Sequence, residues 1–112
     1  MAIESQSTGV VRVARPVLST IVINTALLIP GVVKMAQVSD QWLRLLGREV
    51  PRQGVALTVK DNTVSADLYI VVEAGYNIVE VGNAVQEEVA AAIDMMIGMQ
   101  VREVNVYIQD VA

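Results

Sequence analysis

Residues Val64 to Glu73 alternate so regularly that they restrict the chain to one kind of architecture. Val64, Ala66, Leu68, Ile70 and Val72 fall on one side, and Ser65, Asp67, Tyr69, Val71 and Glu73 on the other. A period of two puts successive side chains on opposite faces of an extended backbone. A strand over 64–73 therefore buries an aliphatic face and turns away a mixed face that carries one acid and one phenol. Such a strand needs a neighbour on its edge and a layer on its apolar face.

The flanking sequence supplies both. Val55 to Lys60 alternates as well and is joined to the first run through Asp61-Asn62, with Thr63 able to extend the later strand by one residue. Asp and Asn tolerate positive φ, so a two-residue connection of this kind predicts a tight antiparallel hairpin. Downstream, Asn77 reads as an N-cap with Glu80 three residues later, a capping box opening a helix to about Met96. Its apolar face is Ile78, Val81, Val85, Val89, Ala92, Ile93 and Met96, and its polar face holds Asn83, Gln86, Glu87 and Asp94. Gly98 stops it, and Val101 to Val111 alternates as a last strand.

Upstream, Gly9 to Val13 reads as a short strand. Arg15-Pro16 starts a helix, because proline is tolerated in the first turn. Val17, Leu18, Ile21, Val22, Ala26 and Ile29 recur at helical spacing, and Ile23, Leu27 and Leu28 widen the apolar surface, so this helix is expected to be covered on more than one side. Pro30-Gly31 ends it, and 32–38 follows as another strand. In the irregular stretch 39–54, Asp40 is placed to cap a short turn carrying Trp42, Leu43, Leu45 and Leu46. The expected fold is α+β: a two-layer sandwich of a small mixed β-sheet with two main helices packed on it, in the order β-α-β-β-β-α-β. Residues 1–8 read as a flexible tail and 9–112 as a single domain.

Composition removes most chemistry. The chain has no Cys and no His, so a thiol nucleophile, thiolate metal ligands and the usual base near neutral pH are absent. Glu87 and Glu88 are adjacent on a helix and diverge by about 100°. Glu80, Glu87 and Asp94 recur every seven residues as a stripe of one helix edge. Asp67 and Glu73 share a strand face about 20 Å apart. No glycine-rich phosphate loop is present. The expectation is no catalytic, cofactor-binding or metal site, and an outer face of 64–73 that packs under a helix or a neighbouring copy. One open alternative is a small-ligand or nucleic-acid-binding module in which Arg44, Arg48 and Arg52 contact an anion; the competing reading of that basic stretch is a solvated turn.

Charge and hydropathy point to association. The hydrophobic share is 54% with no Phe, more aliphatic material than a small domain readily buries. Residues 1–60 hold seven bases and three acids, a net +4, and residues 61–112 hold one base and nine acids, a net −8. A split of this kind can steer head-to-tail or antiparallel pairing of copies. With no signal-like start and no apolar run of about 20 residues, the default location is the cytoplasm.

Several blocks carry a family resemblance. They are Asp67-Leu68-Tyr69-Ile70-Val71-Val72-Glu73, Gly75, Ile78-Val79-Glu80-Val81, Val85-Gln86-Glu87 with Val89, Met96-Ile97-Gly98, and Val104-Asn105-Val106. In that order they resemble the C-terminal half of the alkaline shock protein family, also called the envelope stress response family. Gly9-x-Val11-x-Val13-Ala14 and Pro30-Gly31-Val32-x-x-Met35 extend the similarity over about residues 9–112. The chain departs from the family in its Ile/Val/Leu-rich first helix, in Ala74 where Tyr is frequent, and in lacking Lys-rich tails. The resemblance implies a non-enzymatic bacterial protein linked to cell-envelope homeostasis and to alkaline or general stress. It further implies self-association as a homo-oligomer and membrane association through a membrane-anchored protein partner.

Overall fold

The computed structural model describes residues 2–5, 9–38 and 53–112. The expected hairpin forms from β4 (Val55–Lys60) and β5 (Thr63–Val72), with Asp61 at φ 52° and Asn62 at φ 62°. β5 is the centre of the sheet. One of its edges is shared end to end by two antiparallel strands: β3 (Val32–Met35) pairs with its C-terminal part, and β4 with its N-terminal part. The other edge runs parallel to β6 (Gln100–Val111) over its whole length. The sheet is mixed, as expected.

Both helices lie on one face of this sheet. The even-numbered residues of β5, Val64 to Val72, are fully buried beneath Leu18, Val22 and Ala26 of α1 (Arg15–Leu27) and Val81, Val85 and Val89 of α2 (Ile78–Ala92). Eight of these, the Val, Leu and Ile side chains without solvent contact, each contribute about 1.5–3 kcal/mol of transfer free energy. At the start of α2 the Asn77 side chain accepts from the Glu80 N–H at 3.0 Å, satisfying one orphan donor of the first turn.

Three details differ from the sequence expectations. The second helix does not continue as an α-helix to Met96: residues Ile93–Ile97 form a π turn closed by Gly98 N–H to Ile93 O at 3.2 Å. The wider turn carries Ile97 inward in place of Met96, which is 67% exposed. Secondly, residues Ala2–Ser5, expected within a tail, form β1, antiparallel to β2 (Gly9–Arg12). The strand is defined by its pairing with β2, which a side-chain period over four residues does not reveal. Thirdly, among the described residues α1 is covered by the sheet and α2 alone; Val17 is 50% exposed, Leu27 43% and Leu28 82%. A single sheet face and one neighbouring helix have no further surface to lay against it.

Two glycines fix how the strands meet. Gly31 has φ +98°, and a Cβ there would lie 2.8 Å from both Tyr76 Cδ1 and Val81 Cγ2. Gly54, at φ +79°, sits where β4 enters the sheet, and its Cβ would meet the Ala36 and Tyr69 carbonyls at 2.8 and 2.9 Å. The Tyr69 backbone ties both strands at this point: its N–H donates to Gly54 O at 2.8 Å and its carbonyl accepts from Ala36 N–H at 2.7 Å.

Gly31→Ala is expected to lower the free energy of unfolding by about 2 kcal/mol or more, through strain at positive φ and overpacking against Tyr76 and Val81. Gly82→Ala, in α2 with open space around its Cβ, is expected to raise it by about 0.5–1 kcal/mol. Urea denaturation of the pair checks both signs.

Candidate interaction surfaces

The outer face of the sheet carries the polar side of β5. Asp67 stands opposite Asn105 in the parallel ladder and accepts from its Nδ2 at 3.0 Å. Tyr69 stands opposite Tyr107, and the rings stack at 5.0 Å between centroids with 19° between planes. Tyr69, Val71 and Ala36 are buried on this side, with Val38 and Tyr107 packed beside them. The acid and the phenol noted in the sequence are thus each engaged with β6. Glu73 lies beyond the strand end and is exposed, away from Asp67. Glu80, Glu87 and Asp94 are all exposed along α2 and the π turn. Among the described residues no group of three or more His, Cys, Asp or Glu could hold a metal ion.

The two edges of the sheet are held by the helices. Because the Tyr69 N–H and C=O face β3 and β4, alternation turns those of the even β5 residues toward β6. The β6 residues that bond back are the ones opposite odd β5 positions, Asn105 and Tyr107 among them; Val104, Val106 and Ile108 turn their backbone groups outward. Gln86 of α2, expected on a solvated polar face, donates from Nε2 to the outward Val104 carbonyl at 3.1 Å. On the opposite edge Arg15 at the start of α1 donates from Nη1 to the Leu57 carbonyl of β4 at 3.2 Å. Neither contact was legible in the sequence, since the partners are 18 and 42 residues apart.

One end of the molecule is apolar at its surface. Here Glu73 N–H donates to Gly31 O, Ala74 N–H to Ala112 O, and Ala112 N–H to Val72 O, so the ends of α1, β5 and β6 meet the start of α2. Leu27, Leu28, Val33, Tyr76, Ile78, Val79 and Val111 are exposed there, with Leu28 at 82% and Val79 at 69%. At the other end a shallow groove of about 450 Å³ is lined by Arg12, Val13, Ala14, Arg15 and Val59. Arg44, Arg48 and Arg52, with the turn expected around Trp42, lie outside the described residues.

No helix among the described residues is long and apolar enough to cross a membrane. A family model described as having a cell envelope-related function, that of the alkaline shock protein family, matches residues 3–112. The uncharacterized protein Spy1614 of Streptococcus pyogenes serotype M6 is 33% identical over 106 residues, 92% of this chain and 88% of that protein. YloU of Bacillus subtilis is 34% identical over 84 residues, covering 72% of this chain and 70% of that protein. Among solved structures, MamM CTD chains superpose with a TM-score of 0.54 at 16% identity, covering 86% of this chain and 94% of that one. A second gives 0.54 at 15% identity over 87% and 99%. That likeness shows a shared α+β fold.

The Asp67–Asn105 bond is partly buried, so removing either partner should cost about 1 kcal/mol. A double-mutant cycle of Asp67→Ala and Asn105→Ala, followed by urea unfolding, should return a coupling of at least about 0.5 kcal/mol.

Proposed function

The chain belongs to the alkaline shock protein family, whose function is cell envelope-related, and on that premise we propose that it is a non-enzymatic interaction protein. It self-associates as a homo-oligomer and docks to a membrane-anchored protein partner. The observation that carries this reading is the apolar end built from Leu27, Leu28, Val33, Tyr76, Ile78, Val79 and Val111. Water-exposed aliphatic clusters of this kind are characteristic of interaction surfaces.

Docking to a membrane protein predicts that purified protein sediments with washed membranes from its native cells and is lost when those membranes are first treated with protease. Leu28→Glu combined with Val79→Glu is expected to lower the bound fraction by roughly tenfold, with folding stability within about 0.5 kcal/mol of the parent because both sites are exposed. Binding unaffected by the double substitution would remove the apolar end from the proposal. A strictly monomeric protein across micromolar concentrations in light scattering would remove self-association.

A further inference from the structure

Among the described residues, the β1–β2 hairpin has no partner strand in its own chain. β1 and β2 hydrogen-bond to each other and to no strand of the main sheet. All four residues of β2 are exposed, Val10 at 52% and Val11 at 55%. Two strands alone are marginal in water; a third strand or a packed face is what makes such a unit stable.

Among the described residues, β6 offers an open sheet edge of matching kind. Between register shifts at Arg102 and Gln109, residues Glu103–Ile108 of β6 run unbulged beside β5. Val106 and Ile108 turn N–H and C=O outward from that stretch, and among the described residues no strand pairs with this edge. Open edges of this length recruit strands.

The hairpin does not reach that edge within one copy. Only Val13 and Ala14 separate β2 from α1, and Arg15 is bonded to β4. The groove lined by Arg12 to Arg15 and Val59 places the root of the hairpin beside β4. A strand added at the β6 edge would lie three strand spacings from β4, about 14 Å away, against a reach of about 11 Å for the three backbone steps from Arg12 to Arg15. The charges favour a contact between copies: Arg12 and Arg15 flank the hairpin root, whereas β6 exposes Glu103 and Asp110, with Arg102 as its single base.

We propose that the β1–β2 hairpin of one copy adds as strands to the β6 edge at Val106–Ile108 of a second copy. This names the contact behind the self-association proposed above and rests on that reading. Donor and acceptor lie at different places on the chain, so the contact is heterologous, and a copy lacking either one is a dead end for assembly.

Two full-length variants separate the halves. V10P/V11P removes two donors from exposed β2 and leaves the β6 edge intact. Val106→Pro removes one outward N–H from β6, a position where an edge strand tolerates proline, and leaves the hairpin intact; Ile108→Pro replaces it if that variant fails to fold by circular dichroism. Sedimentation velocity at low ionic strength should show wild-type oligomers, each variant alone as a monomer, and a one-to-one complex when the two are mixed. Amide exchange supplies a readout that needs no edge variant: Val106 and Ile108 should exchange roughly tenfold or more faster in V10P/V11P than in wild type. Oligomers that persist in V10P/V11P, a mixture that does not combine, or equal exchange at those two amides in an associating wild type would overturn the hairpin contact and leave self-association standing. A monomeric wild type would overturn self-association itself and the hairpin contact with it.

Discussion

Everything in this domain is placed by the fact that β5 is paired on both edges and packed on both faces. Its even-numbered side chains form the floor on which α1 and α2 rest, and its odd-numbered ones set the outer face. A slip of one residue in its pairing would exchange those two sets and put Asp67 under the helices. The buried valines and leucines oppose such a slip with an energy far larger than any single surface contact contributes. The positions of Asn105 beside Asp67 and Tyr107 beside Tyr69 are consequences of that register, fixed before any polar interaction acts.

The helices do more than cover the sheet. Each sends one long polar side chain past the sheet margin to a backbone carbonyl that pairing leaves outward, Arg15 to Leu57 and Gln86 to Val104. Outward carbonyls need a partner or water, and these two bonds couple the tilt of each helix to one margin of the sheet. The arrangement also differentiates the margins. The β4 side carries a cation and the root of the hairpin, and the β6 side carries a neutral amide and a run of plain backbone. A chain with two unlike margins and one apolar end is suited to ordered contacts in more than one direction.

Much of this was legible because it is local. The strict alternation of 64–73, the Asp61-Asn62 connection and the Asn77 cap each encode their structure within a few residues. Elements that depend on distant partners were not. Nothing in Ala2–Ser5 reads as a strand until Gly9–Arg12 lies beside it. The π turn at Ile93–Ile97 changes which residue faces inward by one position, and apolar residues at both Met96 and Ile97 fit either helix type. The apolar breadth of α1 was visible, but a count of apolar residues does not say whether the layer above them belongs to the same chain. Of the interaction surfaces, the outer-face pair of Asp67 and Tyr69 was visible as residues and invisible as contacts, since Asn105 and Tyr107 arrive from nearly forty residues downstream.

The anchoring of Tyr69 has a consequence for how such a chain can change over evolutionary time. The backbone leaves the sheet at Ala36 and returns at Gly54, and both points are bonded to the same residue, Gly54 to the N–H of Tyr69 and Ala36 to its carbonyl. Whatever lies between is therefore closed at its base by a fixed clasp. The closure entropy of a loop grows only logarithmically with its length, about 0.6 kcal/mol for each doubling. A change in the length of chain between these two points therefore costs little in closure, while the bonds at Tyr69 hold β3, β4 and β5 in register. The clasp thus separates the register of β3, β4 and β5 from the length of chain between Ala36 and Gly54.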